Sequence, residues 1–376
     1  MSTSPVLVIG AGPAGLAVAA ALGRRGVQAV VLERADDVGA SWRRHYERLH
    51  LHTTRRWSGL PGLPIPQRFG RWVARADVVS YLEMYASHHR IDVRTGVQVK
   101  RVARAGYGRW VVETESGESF TGSTVVVATG YNHTPVPPQW PGVEAFPGEL
   151  VHASAYRNPG PYRGKDVLVV GAGNTGSEIA VDLTEGGAAR VRLAIRTAPH
   201  IVRRSNLGWP AQGTGILVRH LPVPVVDRIA AVVARVEVPD LSAHGLPRPT
   251  TGLYSRVKQG SVPLQDVGLI AAVQAGDVEP VAALQSFDDD GTVVLADGSR
   301  ITPDVVIAAT GYRRGLEPLV GDLDVLDERG LPRVHGPRTS RSAPGLYFTG
   351  YTNPISGMFR ELRIDAERIA RAISRA

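Results

Sequence analysis

The chain has 376 residues, of which 43% are hydrophobic, and it carries a formal net charge of +8 with no cysteine. At roughly 150 residues per domain, this length predicts two or three domains with a large buried core. The absence of cysteine excludes a redox dithiol, a thiolate nucleophile and a cysteine metal site, so any redox chemistry must use a bound cofactor.

The first predicted unit joins two apolar strands through a glycine turn and an alanine-rich helix. Its elements are a strand at residues 5–10, a helix ending near Gly26 and a strand at residues 28–34. The turn has GxGxxG spacing at Gly10, Gly12 and Gly15, which permit a tight turn, close approach to a pyrophosphate and helix packing, respectively. Glu33 ends the second strand, where a carboxylate can accept hydrogen bonds from ribose hydroxyls. The unit predicts a site for an adenosine diphosphate moiety at the helix N-terminus.

The next stretch, residues 41–66, is irregular, aromatic and rich in proline, which predicts an ordered loop that covers another part of the molecule. The pattern beyond it predicts an amphipathic helix at residues 76–90, strands at 97–102, 110–114 and around Phe120, and a hairpin turn at Ser116 and Gly117.

A loose internal repeat indicates a second unit like the first. Residues 114–131 and 295–312 share a glycine turn, a polar strand, an apolar strand and a terminal ATGY. Each follows a glycine unit, and the second unit, at residues 166–180, runs from a strand through Gly171, Gly173 and Gly176 into a helix. Two similar nucleotide-binding domains are therefore predicted, joined by a linker at residues 146–156.

The second unit differs chemically from the first at the end of its returning strand. Where the first unit has an acid, the second has Arg196 followed by Thr197. A carboxylate would repel a 2′-phosphate, whereas a guanidinium can bind it in a fork. The second site is therefore predicted to favour NADPH over NADH.

The remaining elements complete the predicted architecture. Residues 199–265 form an insertion with a helix at 225–236, and a strand at 345–351 and a helix at 357–376 are expected to return to the first domain. The fold class is α/β, with two Rossmann-like dinucleotide-binding domains, of which the FAD-binding one is discontinuous. The expected domains are residues 1–159 with 313–376 for FAD, and residues 160–312 for NADPH.

The linker carries the strongest family signal. Phe146, Gly148, His152 and Tyr156 match the FxGxxxHxxx(Tyr/Phe) pattern between two glycine units, and in this the sequence resembles the flavin-containing monooxygenases. The related Baeyer–Villiger enzymes usually have Trp at the last position of this pattern, so Tyr156 argues against that branch. The stretches YERLHLHT, GAGNTGSEIA, PLQDVGLIAAVQAGDV and GLYFTGYTN are most similar to the YUCCA-type enzymes of plants, which convert indole-3-pyruvate to indole-3-acetate.

The resemblance implies a mechanism in which NADPH reduces FAD, O2 adds at flavin C4a, and retained NADP+ shields the adduct until substrate arrives. It places Trp42, His52 and Thr53 near the isoalloxazine, with His52 and Thr53 as the catalytic candidates. His52 stands where animal members carry Asn, and His50 is a competing assignment. His152 is expected to be structural, fixing the angle between the domains.

The expected cofactor-binding residues lie at the glycine turns, at strand ends and in the aromatic loop. They are Gly10, Gly12, Pro13, Ala14, Gly15, Glu33, Arg34, Ser41, Trp42, His50, Val99, Ala128, Thr129, Gly130, Gly171, Gly173, Asn174, Thr175, Gly176, Arg196, Thr197, Thr310, Gly311, Tyr312, Gly350 and Tyr351. No metal site is expected.

Several alternatives and partners follow from this pattern. The alternatives are a Baeyer–Villiger or amine N-hydroxylating monooxygenase, and an NADPH-dependent flavin reductase with a separate acceptor, which shares both nucleotide sites. A further alternative is a non-enzymatic flavoprotein that binds FAD but hardly turns over NADPH. The expected partners are FAD, NADPH, O2 and a small-molecule substrate. The scattered arginines do not predict nucleic-acid binding. No apolar run approaches the roughly 20 residues of a membrane helix and no signal peptide is evident, so a cytoplasmic location is expected; the oligomeric state is not predicted.

Overall fold

The computed structural model describes residues 5–106 and 108–375. The chain forms two compact units. The first comprises Met1–Arg44, Thr53–Thr134 and Tyr312–Ala376, and the second comprises His45–His52 and Pro135–Gly311.

Helices and strands alternate along both units. In chain order the helices are α1 (Pro13–Gly23), α2 (Ala40–Arg43), α3 (Arg55–Ser58), α4 (Arg75–His88), α5 (Asn174–Glu185), α6 (Ala211–Val218), α7 (Val223–Glu237), α8 (Leu253–Lys258), α9 (Leu269–Ala275), α10 (Glu317–Val320) and α11 (Met358–Ile373). The strands are β1 (Val6–Ile9), β2 (Ala29–Leu32), β3 (Asp92–Arg94), β4 (Val99–Ala105), β5 (Arg109–Thr114), β6 (Ser119–Gly122), β7 (Thr124–Val127), β8 (Thr134–Pro135), β9 (Glu149–His152), β10 (Asp166–Val170), β11 (Arg190–Ile195), β12 (Ile201–Arg203), β13 (Ser205–Asn206), β14 (Trp209–Pro210), β15 (Leu264–Asp266), β16 (Val278–Ala282), β17 (Leu284–Phe287), β18 (Val293–Leu295), β19 (Arg300–Ile301), β20 (Val305–Ala308), β21 (Tyr312–Arg313) and β22 (Leu346–Phe348).

The first unit is built on a parallel sheet with strand order β22-β7-β1-β2-β3. Its central strands β1 and β7 are continuous apolar runs that are almost fully buried, as expected for a parallel sheet covered on both faces. Helix α1 is buried over nearly its whole length, because alanine and glycine let it pack closely between strand and helix. A separate antiparallel meander, β4-β5-β6, adds the buried Trp110 to the same core.

The second unit repeats this plan with the parallel order β16-β11-β10-β20-β9 and an antiparallel sheet, β17-β18-β19. Strands β10 and β20 are the buried centre, and α5 follows β10 as α1 follows β1. The mixed α/β class predicted from the sequence is therefore confirmed.

One part of the predicted linker is instead a strand. Residues 149–152 form β9, which pairs in parallel with β20, Val305 opposite Glu149 and Ala308 opposite His152. Because this pairing joins segments more than 150 residues apart, no local pattern could predict it. Residues 135–159, which the sequence analysis assigned to the first domain, consequently lie in the second compact unit, as do residues 45–52.

Local signals predicted the other main elements well. The helices expected at 76–90 and 225–236 are α4 and α7, within two residues at each end. The edge strand β3 was not predicted, because its sequence is short and charged. Of the helices in the described ranges, none combines the length and the apolar character needed to span a bilayer.

Candidate functional site

The first glycine turn has the geometry of a phosphate cradle. Gly10 has φ of 105°, and a Cβ there would lie 2.6 Å from the carbonyl oxygen of Ala128. A Cβ on Gly15 would lie only 1.9 Å from the carbonyl oxygen of Gly10, so α1 can approach β1 only through glycine. A Cβ on Gly12, by contrast, would have no atom within 4 Å. Gly12 therefore borders open space at the N-terminus of α1, where Pro13 and Ala14 begin the helix.

The second glycine turn reproduces these distances. Gly171 has φ of 113°, and its Cβ would lie 2.6 Å from the carbonyl oxygen of Ala309. A Cβ on Gly176 would lie 1.9 Å from the Gly171 carbonyl oxygen, while one on Gly173 would have no atom within 4 Å. The two turns fit the same group, a pyrophosphate against backbone N–H groups at a helix N-terminus.

Glu33 stabilises the first turn directly. Its carboxylate accepts hydrogen bonds from the backbone N–H groups of Ala11, at 2.7 Å, and Ala35, at 3.0 Å, and the residue is buried. These bonds connect the end of β2 to the glycine turn. The predicted ribose contact would use the lone pairs that remain on the same oxygens.

In the second unit, the position that corresponds to Glu33 is exposed to solvent. Arg196 and Thr197 follow β11 directly and are exposed, so the guanidinium is accessible from solvent. Asn174, the first residue of α5, accepts a hydrogen bond from the Gln265 N–H at 2.7 Å and donates to the Pro263 carbonyl at 3.1 Å. Asn174 thus connects the turn to β15, and Thr175 beside it is half-buried.

The residues that follow β7 in the first unit and β20 in the second form different hydrogen bonds. Ala128 donates its N–H to Ile9, and the Tyr351 hydroxyl lies 3.0 Å from the Thr129 nitrogen and 2.8 Å from its Oγ1. Burial raises the pKa of Tyr351 to about 12, so it stays protonated. In the second unit, Thr310 Oγ1 donates to the Val136 carbonyl at 2.6 Å.

The remaining predicted residues occupy varied surroundings. Gly130 and Gly311 border open space, whereas a Cβ on Gly350 would lie 3.3 Å from the Ala14 side chain. Trp42 contacts Phe359 edge to face with ring centroids 5.9 Å apart, and Thr53 Oγ1 lies 2.8 Å from Ser58 Oγ. Arg34 and Ser41 are exposed, Val99 packs against the core of the first unit, and Tyr312 opens β21.

A charged cavity in the second unit contains both candidate histidines. Its volume is about 320 Å³, and it is lined by Arg48, His50, His52, Glu178, Arg204 and Val267. His52 Nε2 lies 2.5 Å from Glu178 Oε1, whereas His50 Nδ1 bonds the Arg48 carbonyl oxygen at 2.7 Å. Glu178 is 2% exposed and lies on α5, two residues after Gly176. His52 is therefore held by a carboxylate on the helix that begins at the second glycine turn.

The cavity's arginines have opposite electrostatic environments. Burial lowers the pKa of Arg204 to about 10, although Glu178 opposes this, and Arg204 donates to the Leu51 carbonyl at 3.0 Å. Burial also disfavours the charge of Arg48, but the carboxylates of Glu185, Asp182 and Glu178 together outweigh that effect and raise the Arg48 pKa.

Sequence reasoning missed Glu178 and Arg204. The available signal was an acid inside the apolar helical pattern GSEIA, since a buried charge is rare unless it is paired.

The family-signature motif has structural contacts. Burial lowers the pKa of His152, and its Nδ1 accepts a hydrogen bond from the Ser154 N–H at 3.1 Å. The Tyr156 hydroxyl donates to Asp182 Oδ2 at 2.8 Å, which connects the end of the motif to α5. Across residues 5–106 and 108–375, no three His, Asp or Glu side chains are grouped so as to hold a metal ion.

Comparisons with known proteins agree with this geometry. The model of the pyridine nucleotide-disulphide oxidoreductase family matches residues 7–208. The rice (Oryza sativa subsp. japonica) indole-3-pyruvate monooxygenase YUCCA1 is 36% identical over 92% of this chain and 86% of its own. The Arabidopsis thaliana probable indole-3-pyruvate monooxygenase YUCCA3 is 34% identical over 98% and 86%, respectively. A solved flavin-containing monooxygenase from Stenotrophomonas maltophilia shares the fold, with 24% identity, 99% coverage of both chains and a TM-score of 0.70.

The family model and the monooxygenase relatives together show an FAD- and NADPH-dependent oxidoreductase of the flavin monooxygenase class. Within that class, the chain belongs to the family of YUCCA-type flavin monooxygenases. An NADP-bound steroid monooxygenase has the same fold, with a TM-score of 0.75 at 19% identity over 99% of this chain and 86% of its own.

Proposed function

We propose that this enzyme oxidatively decarboxylates an aromatic 2-oxo acid of the indole-3-pyruvate type. NADPH, O2, a proton and the 2-oxo acid would give NADP+, water, CO2 and the shortened carboxylic acid. One oxygen atom of O2 enters the new carboxylate and the other leaves as water. The curated relatives named for indole-3-pyruvate, similar over nearly the whole chain, support this substrate class.

The two units divide the cofactors in this proposal. FAD binds at the first glycine turn, beside Gly12 and Glu33, which makes the FAD-binding domain discontinuous. NADPH binds at the second turn, beside Gly173, with Arg196 forming a fork on the 2′-phosphate. Bound FAD, once reduced by NADPH, supplies the oxygen chemistry. This assignment rests on one observation. The same glycine turn occurs in both units, but the strand after its helix is followed by Glu33 in the first unit and by Arg196 in the second.

The chain's own residues bind, orient and exclude water. Glu178 fixes the ring of His52 through Nε2, and the other ring nitrogen, Nδ1, is proposed to form a hydrogen bond at the reaction centre, with Thr53 beside it in sequence. Arg204 supplies a positive charge to the cavity that His52 lines, and this charge favours a substrate carboxylate.

The test follows both oxygen atoms. Purified holoenzyme is supplied with NADPH, indole-3-pyruvate and ¹⁸O2, and the acid product is analysed by mass spectrometry. One ¹⁸O per indole-3-acetate, with one NADPH consumed per product, is the expected result. Catalase is included to destroy released peroxide, which would itself carry ¹⁸O and decarboxylate the substrate in solution. Acid that is unlabelled, or acid that no longer forms when catalase is present, would contradict the proposal. Ketones and amines are run in parallel, and a lactone or a hydroxylamine formed in preference would move the enzyme to another branch of the class.

A further inference from the structure

Helix α7 has its apolar side on the outside. Leu221 before the helix and Val225, Ile229, Val232, Val233 and Val236 on it follow the spacing of one helical face, and all are exposed. We call these six residues the α7 stripe. Val232 and Val236 are 59% and 81% exposed. A surface helix normally turns its apolar face toward the core, whereas α7 turns its apolar face toward solvent.

Polar contacts hold the opposite side of α7 to the protein. Asp227 accepts hydrogen bonds from the backbone N–H groups of Tyr254 and Ser255, at 2.6 and 3.2 Å, and from the Ser255 hydroxyl at 2.5 Å. These bonds fix α7 to the N-terminus of α8. Rotating α7 to bury the stripe would break them, so the exposure is built into the packing.

A second exposed apolar element lies beside the C-terminal end of α7. Asn206, in the β13–β14 hairpin, donates to Glu237 Oε1 at 2.7 Å. Leu207 follows at the tip of the hairpin, fully exposed and with φ of 43°, a conformation that a leucine rarely adopts. Trp209 in the same hairpin is half exposed. The hairpin extends the apolar surface past Val236.

The segment that carries this surface has a positive net charge. Residues 199–265 contain eight arginine or lysine residues against three acidic ones. Two of those acids, Asp227 and Glu237, are used in the internal hydrogen bonds described above, and the third, Asp240, bonds Ser242. Arg228 and Arg235 are exposed along one edge of the stripe. An apolar face bordered by arginines is the pattern of a helix that lies in the headgroup region of a bilayer.

We propose that the α7 stripe and the hairpin tip bind the surface of an anionic phospholipid membrane, with α7 parallel to the bilayer plane. Valine, isoleucine and tryptophan enter the boundary of the acyl chains, and Arg228 and Arg235 contact lipid phosphates. The 15 residues of α7 are too few to cross a bilayer, so the contact is peripheral. A second copy is a poorer occupant, because a two-fold contact through the stripe would bring like-charged edges together.

Vesicle sedimentation of the full-length FAD-bound enzyme tests this proposal. Wild type is expected to sediment with phosphatidylglycerol vesicles, and about tenfold less with phosphatidylcholine vesicles or in about 0.5 M salt. The double variant V232N/V236N keeps the charge but removes apolar contact, and should lose at least about tenfold of the binding. A231N is the matched control, since Ala231 is exposed on α7 but lies off the stripe; it should bind as wild type does.

Each other result overturns the proposal. Wild type that stays in the supernatant with every vesicle, or equal losses in both variants, would show that the stripe does not bind lipid. Sedimentation velocity supplies the remaining outcome: a wild-type dimer that V232N/V236N dissociates would assign the stripe to a second copy. NADPH oxidation by both variants is expected to match wild type, because no stripe residue is placed in the cofactor or substrate sites.

Discussion

Arg196 is the residue on which the proposed choice of reduced cofactor depends. It is exposed at the end of β11, where the first unit has the buried Glu33. Arg196→Ala should raise the KM for NADPH about tenfold or more while changing that for NADH little, because only NADPH has the 2′-phosphate. Arg190→Ala is the control, since Arg190 is exposed at the start of the same strand and pairs with Glu279. Equal losses with both cofactors in steady-state assays would refute the 2′-phosphate assignment.

Glu178 is the residue that fixes the ring of His52. Glu178→Gln removes the charge but keeps the shape, and kcat for acid formation should fall about tenfold, with the KM for NADPH within about twofold, because the loss is in orientation rather than cofactor binding. Glu149→Gln is the matched control, because Glu149 is an exposed carboxylate of the same unit that pairs with Lys165 and does not line the cavity. The two variants are compared for kcat, the ratio of product to NADPH, and melting temperature. If both behave alike, the buried carboxylate has no role in orienting His52.

His335 and Asp365 form a half-buried pair with opposing effects on pH stability. His335 Nδ1 lies 3.3 Å from Asp365 Oδ2, and the Tyr351 N–H donates to His335 Nε2 at 3.4 Å. Burial lowers the pKa of His335 to about 4 and raises that of Asp365 to about 6. Between pH 4 and 6, the folded protein therefore binds fewer protons at His335 than the unfolded chain does, and more protons at Asp365. The first difference makes the free energy of unfolding rise with pH and the second makes it fall, so the two effects cancel.

Removing either side chain should reveal the pH dependence of stability that the other one causes. In His335→Gln the free energy of unfolding should fall by about 3 kcal/mol as the pH rises from 4 to 6, because the raised pKa of Asp365 then acts alone. In Asp365→Asn it should rise by about 3 kcal/mol from pH 4 to 6.5, because His335 is then uncompensated. Urea unfolding at several pH values measures both. Wild-type stability that falls between pH 6.5 and 8 would instead show a charged ion pair.

Within six residues, each glycine turn contains one glycine that is expected to matter for ligand binding and others that are expected to matter for folding. Gly12→Ala adds a methyl group where the structure is open, so the protein should fold with a melting temperature near that of FAD-free wild type and lose most of its FAD. Gly173→Ala should keep FAD and raise the KM for NADPH. Flavin content by absorbance and steady-state kinetics distinguish the two. Loss of FAD from Gly173→Ala with retention in Gly12→Ala would reverse the proposed assignment of the sites.

The neighbouring glycines should behave differently. Gly15→Ala and Gly176→Ala would each place a methyl group 1.9 Å from a carbonyl oxygen, so both should fail by misfolding rather than by loss of ligand. The sequence predicted these turns because their spacing is local. It did not predict β9, whose pairing with β20 depends on a segment more than 150 residues away.

The whole molecule shares its fold with reductases as well as monooxygenases. A bacillithiol disulfide reductase from Staphylococcus aureus aligns with a TM-score of 0.71 at 16% identity, over 99% of this chain and 98% of its own. The present chain has no cysteine to relay electrons to a disulfide. Without O2, it should therefore consume only about one NADPH per FAD, even when a small disulfide is present. Continued anaerobic turnover, followed at 340 nm, would indicate a reductase.

The sequence by itself determined the two glycine turns, the acid and the arginine that distinguish them, and the α/β class. Each of these depends on residues within about 30 positions of one another, a range over which strand, turn and helix signals act. Tertiary structure alone decided that residues 45–52 join the second unit, that Glu178 is the partner of His52, and that α7 turns its valines to solvent. Those outcomes depend on which distant segments pack together, because burial and ion pairing are properties of the folded chain and leave little trace in local periodicity.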